Sequence, residues 1–233
     1  MITKAVAIVT GARSGIGKAI TLRLLAMEYR VIGISRTITA NDINHTNFSP
    51  LQCDLSKSDE IAKKCERVTK NSEIKLLINA AGFGRFEPHE ELNVLTIQRM
   101  TALNLTAPMI LTNLLLRSLK KNEGTIINIT SIEAVRSSKF SALYSATKAG
   151  LRAFGLSLFE ELRKSGVNIV TLNPDMTDTD FFNALRFGVS DKEGTYLLSE
   201  DLADAVEQIL TMRIGVSVTE MTIRPQHFGI RKK

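Results

Sequence analysis

The sequence is poor in cysteine, proline and histidine, with two, five and three of them among 233 residues. Cys53 and Cys65 are too few for a disulfide framework and are expected to stay reduced. So few prolines, beside 14 glycines, exclude a collagen-like or linker-rich chain. The histidines have no ligand-like spacing, so no metal site is expected. Long apolar runs are also missing. The longest uncharged stretch, Met100 to Leu116, contains Asn104, Pro108 and Asn113 and falls short of the roughly 20 apolar residues of a membrane span. The first apolar run, Ala5–Val9, passes straight into a Gly-rich turn, unlike a signal peptide.

What is present is ordinary globular composition, 44% hydrophobic and 23% charged, which excludes intrinsic disorder. We expect a cytoplasmic chain forming one domain over residues 1–233. The net charge of +6 does not come from a basic stripe. Lys63-Lys64, Lys120-Lys121 and Arg231-Lys232-Lys233 are isolated, and no aromatic-and-basic pattern accompanies them, so no nucleic-acid partner is expected.

Short apolar runs alternate with longer segments of helical periodicity. The candidate strands are Ala5–Val9, Val31–Ser35, Leu51–Asp54, Lys75–Ala80, Thr125–Thr130, Asn168–Asn173 and Met221–Arg224. Apolar residues recur at helical spacing in Ile16, Ile20, Leu24 and in Leu151, Phe154, Leu158, Leu162. A further helix is expected to start at a capping Ser199 followed by Glu200 and Asp201. Strands apolar nearly throughout are buried on both faces, which requires a parallel sheet covered by helices on each side. The expectation is a doubly wound, Rossmann-type α/β fold with a mostly parallel seven-stranded sheet.

The first strand runs directly into Thr10-Gly11-Ala12-Arg13-Ser14-Gly15-Ile16-Gly17 and then a helix. A helix N-terminus offers unpaired N–H groups and a positive dipole end to an anion, and glycine lets a pyrophosphate approach the backbone. A tight structural turn would use glycine as well. Tyr144 and Lys148 stand at i and i+4 on one helix face, where an ammonium would favour phenolate and suit the phenol to proton transfer. Ser131 follows an apolar strand, which puts its hydroxyl at the C-terminal edge of the sheet, where α/β sites open.

With Asp54 after the third strand, Asn79-Ala80-Ala81-Gly82 after the fourth, Asn104, and Asn173-Pro174 after the sixth, these motifs make the chain resemble the short-chain dehydrogenase/reductase family over nearly its full length. The resemblance implies an oxidoreductase acting on a carbonyl/secondary-alcohol pair, with Asn104, Ser131, Tyr144 and Lys148 catalytic. Tyr144 would be the acid/base, and Lys148 would lower its pKa and hold the nicotinamide ribose. Ser131 would polarise the substrate oxygen, and Asn104 would anchor a water in a proton relay. The cofactor would lie along Gly11, Arg13, Ser14, Gly15, Ile16 and Gly17. Asp54 and Leu55 would meet its adenine, Asn79, Ala80 and Gly82 its adenosine side, and Pro174, Thr177 and Thr179 its nicotinamide end. A regulator that senses the dinucleotide, or a 3-oxoacyl thioester reductase, would share the fold.

Selectivity is expected from the end of the second strand. NAD-selective folds usually place an acid there. This sequence has Ser35 and then Arg36, which suits the 2′-phosphate of NADP(H), with Arg13 as a second cation. In the family a glycine usually follows the proline of the sixth strand. Here Asp175 either faces the nicotinamide and repels the pyrophosphate, or points away and caps the N–H of Thr177. Asp178 and Asp180 add negative charge to the same segment. Residues about 180–198 are expected to form a substrate lid, with Phe181, Phe182, Leu185 and Phe187 as an apolar wall or the core of a short helix. Arg85, Arg136 and Arg186 are candidates for the pocket mouth. The resemblance also implies a homodimer or homotetramer through the helices Thr101–Lys120 and Tyr144–Lys164, whose Leu111, Leu114, Leu115, Leu151, Phe154 and Leu158 are more apolar than one sheet face requires, although covering the sheet could use them all.

Overall fold

The computed structural model describes residues 4–69 and 73–233. Its main sheet has seven strands, all parallel: β1 (Val6–Thr10), β2 (Arg30–Ser35), β3 (Phe48–Gln52), β4 (Ile74–Asn79), β5 (Thr125–Ile129), β6 (Asn168–Pro174) and β8 (Glu220–Ile223). Their order is β3-β2-β1-β4-β5-β6-β8. The sense of winding reverses between β1 and β4, and there the loops at the strand C-termini part to leave a crevice.

Alternate residues of each strand feed two cores. Ala7, Val9, Leu76, Ile78 and Val170 pack against α1 (Gly15–Ala26) and α6 (Ser199–Leu210) through Ile20, Leu24, Leu202 and Val206. On the other face Val6, Ile8, Ile34, Leu77 and Ile169 pack against α2 (Ser58–Thr69), α4 (Ala107–Lys121) and α5 (Ala142–Leu162) through Ile61, Leu111, Leu115 and Leu158. Arg23 of α1 pairs with Asp204 and Glu207 of α6. Arg152 of α5 grips Glu220 of β8 with two guanidinium nitrogens.

Several boundaries differ from the sequence expectation. The third strand begins at Phe48 and includes Pro50, which is tolerated because β3 is an edge strand. The helix expected from Thr101 starts at Val94 as α3 (Val94–Thr101), capped by the Asn93 side chain on the N–H of Thr96, and continues through a π turn, Ala102–Thr106, into α4. Pro108 explains the π turn: it has no N–H to give the carbonyl four residues back, that of Asn104. Ser199 is the first residue of α6 rather than its cap, and Asp201 instead takes the N–H of Leu198. Two short strands went unread. β7 (Phe187–Val189) pairs antiparallel with β9 (Ile230–Lys232), so the basic tail is part of a small second sheet beside the crevice.

Candidate active site

A cavity of about 630 Å³ opens at the crevice. Its floor comes from the ends of β4, β5 and β6, and one wall from the first turn of α5. The opposite wall is aromatic. Phe86 stacks near Tyr144 with ring centroids 5.1 Å apart and meets Phe187 edge-on at 5.2 Å, while Phe181 lies 5.8 Å from Tyr144. From the segment expected as lid, Phe181, Phe182, Arg186 and Phe187 line the cavity, joined by Phe228, Ile230 and Lys232 from the tail.

The catalytic candidates converge on this cavity by separate routes. Ser131 ends the fifth-strand segment in extended backbone, and its Oγ accepts the N–H of Glu133 at 3.2 Å, which fixes the turn Ile132–Ala134. Its hydroxyl also lies near enough to act on the Tyr144 phenol. Burial pushes the Tyr144 phenol above its ordinary value; the Ser131 hydroxyl opposes this and the Glu133 carboxylate adds to it. Lys148 is not among the groups that shift the phenol in this arrangement. Desolvation dominates, and Lys148 Nζ lies 5.8 Å from the ring centroid, donating to the Ile129 carbonyl at 2.9 Å. Burial lowers Lys148 itself to about 8.

Asn104 is fully buried in the π turn. Its side chain accepts from Phe83 N at 3.1 Å and donates to Phe83 O at 2.9 Å and Thr147 Oγ1 at 3.2 Å. It clamps the loop after β4 by gripping the Phe83 backbone. Gly82 passes so close that a Cβ there would stand 3.2 Å from Asn104 Oδ1 and 3.4 Å from Lys148 Nζ.

The Gly-rich turn divides its labour. Gly11 has φ +69°, and a Cβ there would press on the Ala80–Ala81 backbone at 3.1 Å. At Gly17 a Cβ would strike Gly11 O at 2.3 Å, so this glycine serves packing. Gly15, at φ +51°, faces the Thr179 side chain across the crevice. Ser14 caps α1 without a side-chain hydrogen bond, and no acid occupies the first turn. Thr10 Oγ1 accepts from the N–H groups of Ala80 and Ala81, locking the two glycine-bearing loops together.

Ile16, Ala80, Gly82, Pro174, Thr177 and Thr179 line the cavity with Tyr144 and Lys148. Leu55 is in the core. Asn79 is buried and donates to Asn128 Oδ1 at 2.9 Å, bracing β4 on β5. Ser35, Arg36 and Asp54 gather at the outer end of β2 and β3, where Asp54 accepts from Ser56 and is held below its usual range despite partial burial. Arg13 joins them from the turn, binding Thr37 Oγ1 at 2.9 Å and Asp42 Oδ1 at 3.2 Å.

The chain thus carries a Gly-rich helix start facing a buried Ser–Tyr pair with a Lys beneath it. The family model for short chain dehydrogenase matches residues 5–188. The chain belongs to this family. Among the dehydrogenase's relatives, an uncharacterized oxidoreductase of Staphylococcus epidermidis is 32% identical over 94% of this chain and 96% of its own length. An alcohol dehydrogenase of Thermococcus sibiricus, solved in complex with 5-hydroxy-NADP, is 25% identical with TM-score 0.86, covering 96% of this chain and 97% of that one. A 3-ketoacyl-(acyl-carrier-protein) reductase of Brucella melitensis, complexed with NADH, has the same fold at TM-score 0.86 and 21% identity, covering 95% and 97%.

Within this short chain dehydrogenase, Asp175 lines the cavity, but its carboxylate is turned to neighbouring groups. Its side chain is 3% exposed, and its Oδ1 accepts the N–H of Met176 at 2.9 Å rather than that of Thr177. Arg224 Nε lies 3.0 Å from Oδ2 and Arg136 Nη2 3.6 Å from Oδ1. Asp178 and Asp180 are exposed and do not line the cavity. Sequence reasoning missed Glu133, which is buried and accepts from Ser138 Oγ at 2.6 Å, Ser145 Oγ at 3.1 Å and Arg136 Nε at 3.2 Å. It also missed Phe86, since a single aromatic in a loop has no periodicity to betray its burial.

Proposed function

We propose that the protein is an NADP(H)-dependent oxidoreductase for a carbonyl/secondary-alcohol pair, with Tyr144 as general acid/base. The observation that carries this reading is the convergence of Ser131 from β5 with Tyr144 and Lys148 from α5 in one buried cavity facing the start of α1. That start fits a dinucleotide: free N–H groups, no acid in the first turn, and glycines at positive φ. When bound, the nicotinamide supplies or accepts the hydride. Ser131 donates to the substrate oxygen, and Tyr144 gives that oxygen its proton in reduction or removes it in oxidation. A protonated Lys148 stabilises the phenolate left behind. The segment 180–198 acts as the substrate lid within a single domain. Homo-oligomers form through α4 and α5, whose Leu114 and Phe154 remain partly exposed while Leu111, Leu115, Leu151 and Leu158 are spent on the core.

Preference for the 2′-phosphate rests on exposed Arg36 beside Ser35. Arg13 contributes less, because Asp42 already engages it. The bound 5-hydroxy-NADP of the Thermococcus sibiricus enzyme is consistent with this. One charge-assisted contact, about 1.5–3 kcal/mol, gives roughly 10–100-fold preference. The test is kcat/KM with NADPH and NADH over ketones, aldehydes and β-keto thioesters. Exchanging Ser35→Asp with Arg36→Ala should reverse the preference. Equal or better use of NADH by the wild type defeats the Arg36 reading, and micromolar cofactor binding without any turnover favours a sensor.

A further inference from the structure

Charges around the cavity fall into two groups. Glu133, Arg136, Asp175 and Arg224 form a chain of ion pairs in which two acids answer two guanidiniums. Arg85, a candidate for the mouth, pairs instead with Glu87 and does not line the cavity. Lys148 lines its floor, bonded to the Ile129 carbonyl, while Lys139, Arg186 and Lys232 line its mouth and make no ion pair among the described residues. The remaining lining acid is the exposed Glu91. The mouth therefore carries a surplus of positive charge over a wall made of Phe86, Phe181, Phe182 and Phe187.

Resting on the oxidoreductase reading of this site, we propose that the substrate class is a carbonyl or alcohol compound with an apolar, ring-sized body and an anionic group at its far end. The reacting oxygen is fixed at Ser131 and Tyr144. Arg186 precedes Phe187, whose ring is separated from Tyr144 by that of Phe86. The anionic group thus stands several bonds from the reacting carbon, which excludes a compact α-keto acid as the best fit. Arg186 is the anchor because its backbone is fixed, its carbonyl accepting the N–H of Lys233 at 2.9 Å, and its guanidinium offers forked donors. Lys139 and Lys232 supply field rather than a directed contact.

The experiment is calorimetric binding of 4-acetylbenzoate and of its neutral counterpart 4-methylacetophenone, with and without NADP+, followed by turnover of both. 4-Acetylbenzoate should bind about five- to tenfold more tightly, the range for one partly solvated charge-assisted contact. Raising salt should erode the difference. Arg186→Ala should abolish it while leaving the neutral ketone within about twofold, and Arg186→Lys should keep part of it. Equal binding of the two ketones, or a difference that survives both Arg186→Ala and Arg186→Ala/Lys232→Ala, overturns the proposal. Selective binding without turnover would uphold the anion-binding pocket and count against the oxidoreductase reading; turnover of both without selectivity would do the reverse.

Discussion

The protonation of Tyr144 rests on a balance that no single neighbour sets. Burial raises the phenol, Ser131 opposes this, and Glu133 reinforces it. Tyr144→Phe keeps the ring and its contact with Phe86 but removes the transferable proton. Turnover should fall about 10²–10⁴-fold with cofactor affinity little changed; a variant holding more than a tenth of wild-type kcat would refute the assignment. Glu133 gives a second residue-scale test. Its charge disfavours phenolate, so Glu133→Gln should lower the Tyr144 pKa. Alcohol oxidation needs the phenolate, and the rising limb of its pH–kcat/KM profile should therefore move to lower pH. A lower rate at every pH with an unmoved limb would show that Glu133 only holds the loop. The Ser131, Tyr144 and Lys148 spacing was legible in the sequence because a helix fixes i and i+4. Glu133 was not, because an acid two residues beyond Ser131 is ordinary until the fold buries it.

Between elements, the chain of charges from Glu133 to Arg224 is what replaces the family's usual glycine. Asp175 follows β6, Arg136 follows β5 and Arg224 follows β8, so one carboxylate ties together three neighbouring strand exits. The arginines are partly exposed, which limits the strength of each pair. Asp175→Gly should cost about 1–2 kcal/mol in urea denaturation, from the lost pairs and the lost bond to Met176 N–H. Because the carboxylate faces the arginines, reduced-cofactor affinity should stay level or weaken. Tighter binding would mean that the carboxylate acts on the cofactor after all. The π turn is the other inter-element device: Pro108 and the polar grip of Asn104 on Phe83 hold the β4 loop over Lys148.

For the molecule as a whole, the doubly wound sheet buries one face under α1 and α6 and the other under α2, α4 and α5. No described helix is long and apolar enough to cross a membrane. Light scattering at micromolar concentration should return a dimer or tetramer mass, and charged substitutions at Leu114 and Phe154 together should lower it. A monomer mass for the wild type contradicts the proposed pairing.

The sequence alone determined the sheet, its parallel sense and the order of its motifs. Short continuous apolar runs mark the buried strands and a period of 3.6 marks the helices, and both are local properties of the chain. It also supplied the candidate site, since the Gly-rich turn and the Tyr144–Lys148 pair are each local in sequence. Tertiary structure alone decided what surrounds them. Residues 187–189 and 230–232 carry no strong local pattern, and their pairing depends on a contact across some forty residues of chain. The fate of Asp175 likewise depended on Arg136 and Arg224 arriving from other strands. Coulomb energy and desolvation depend on distance in space, and only the folded chain sets those distances.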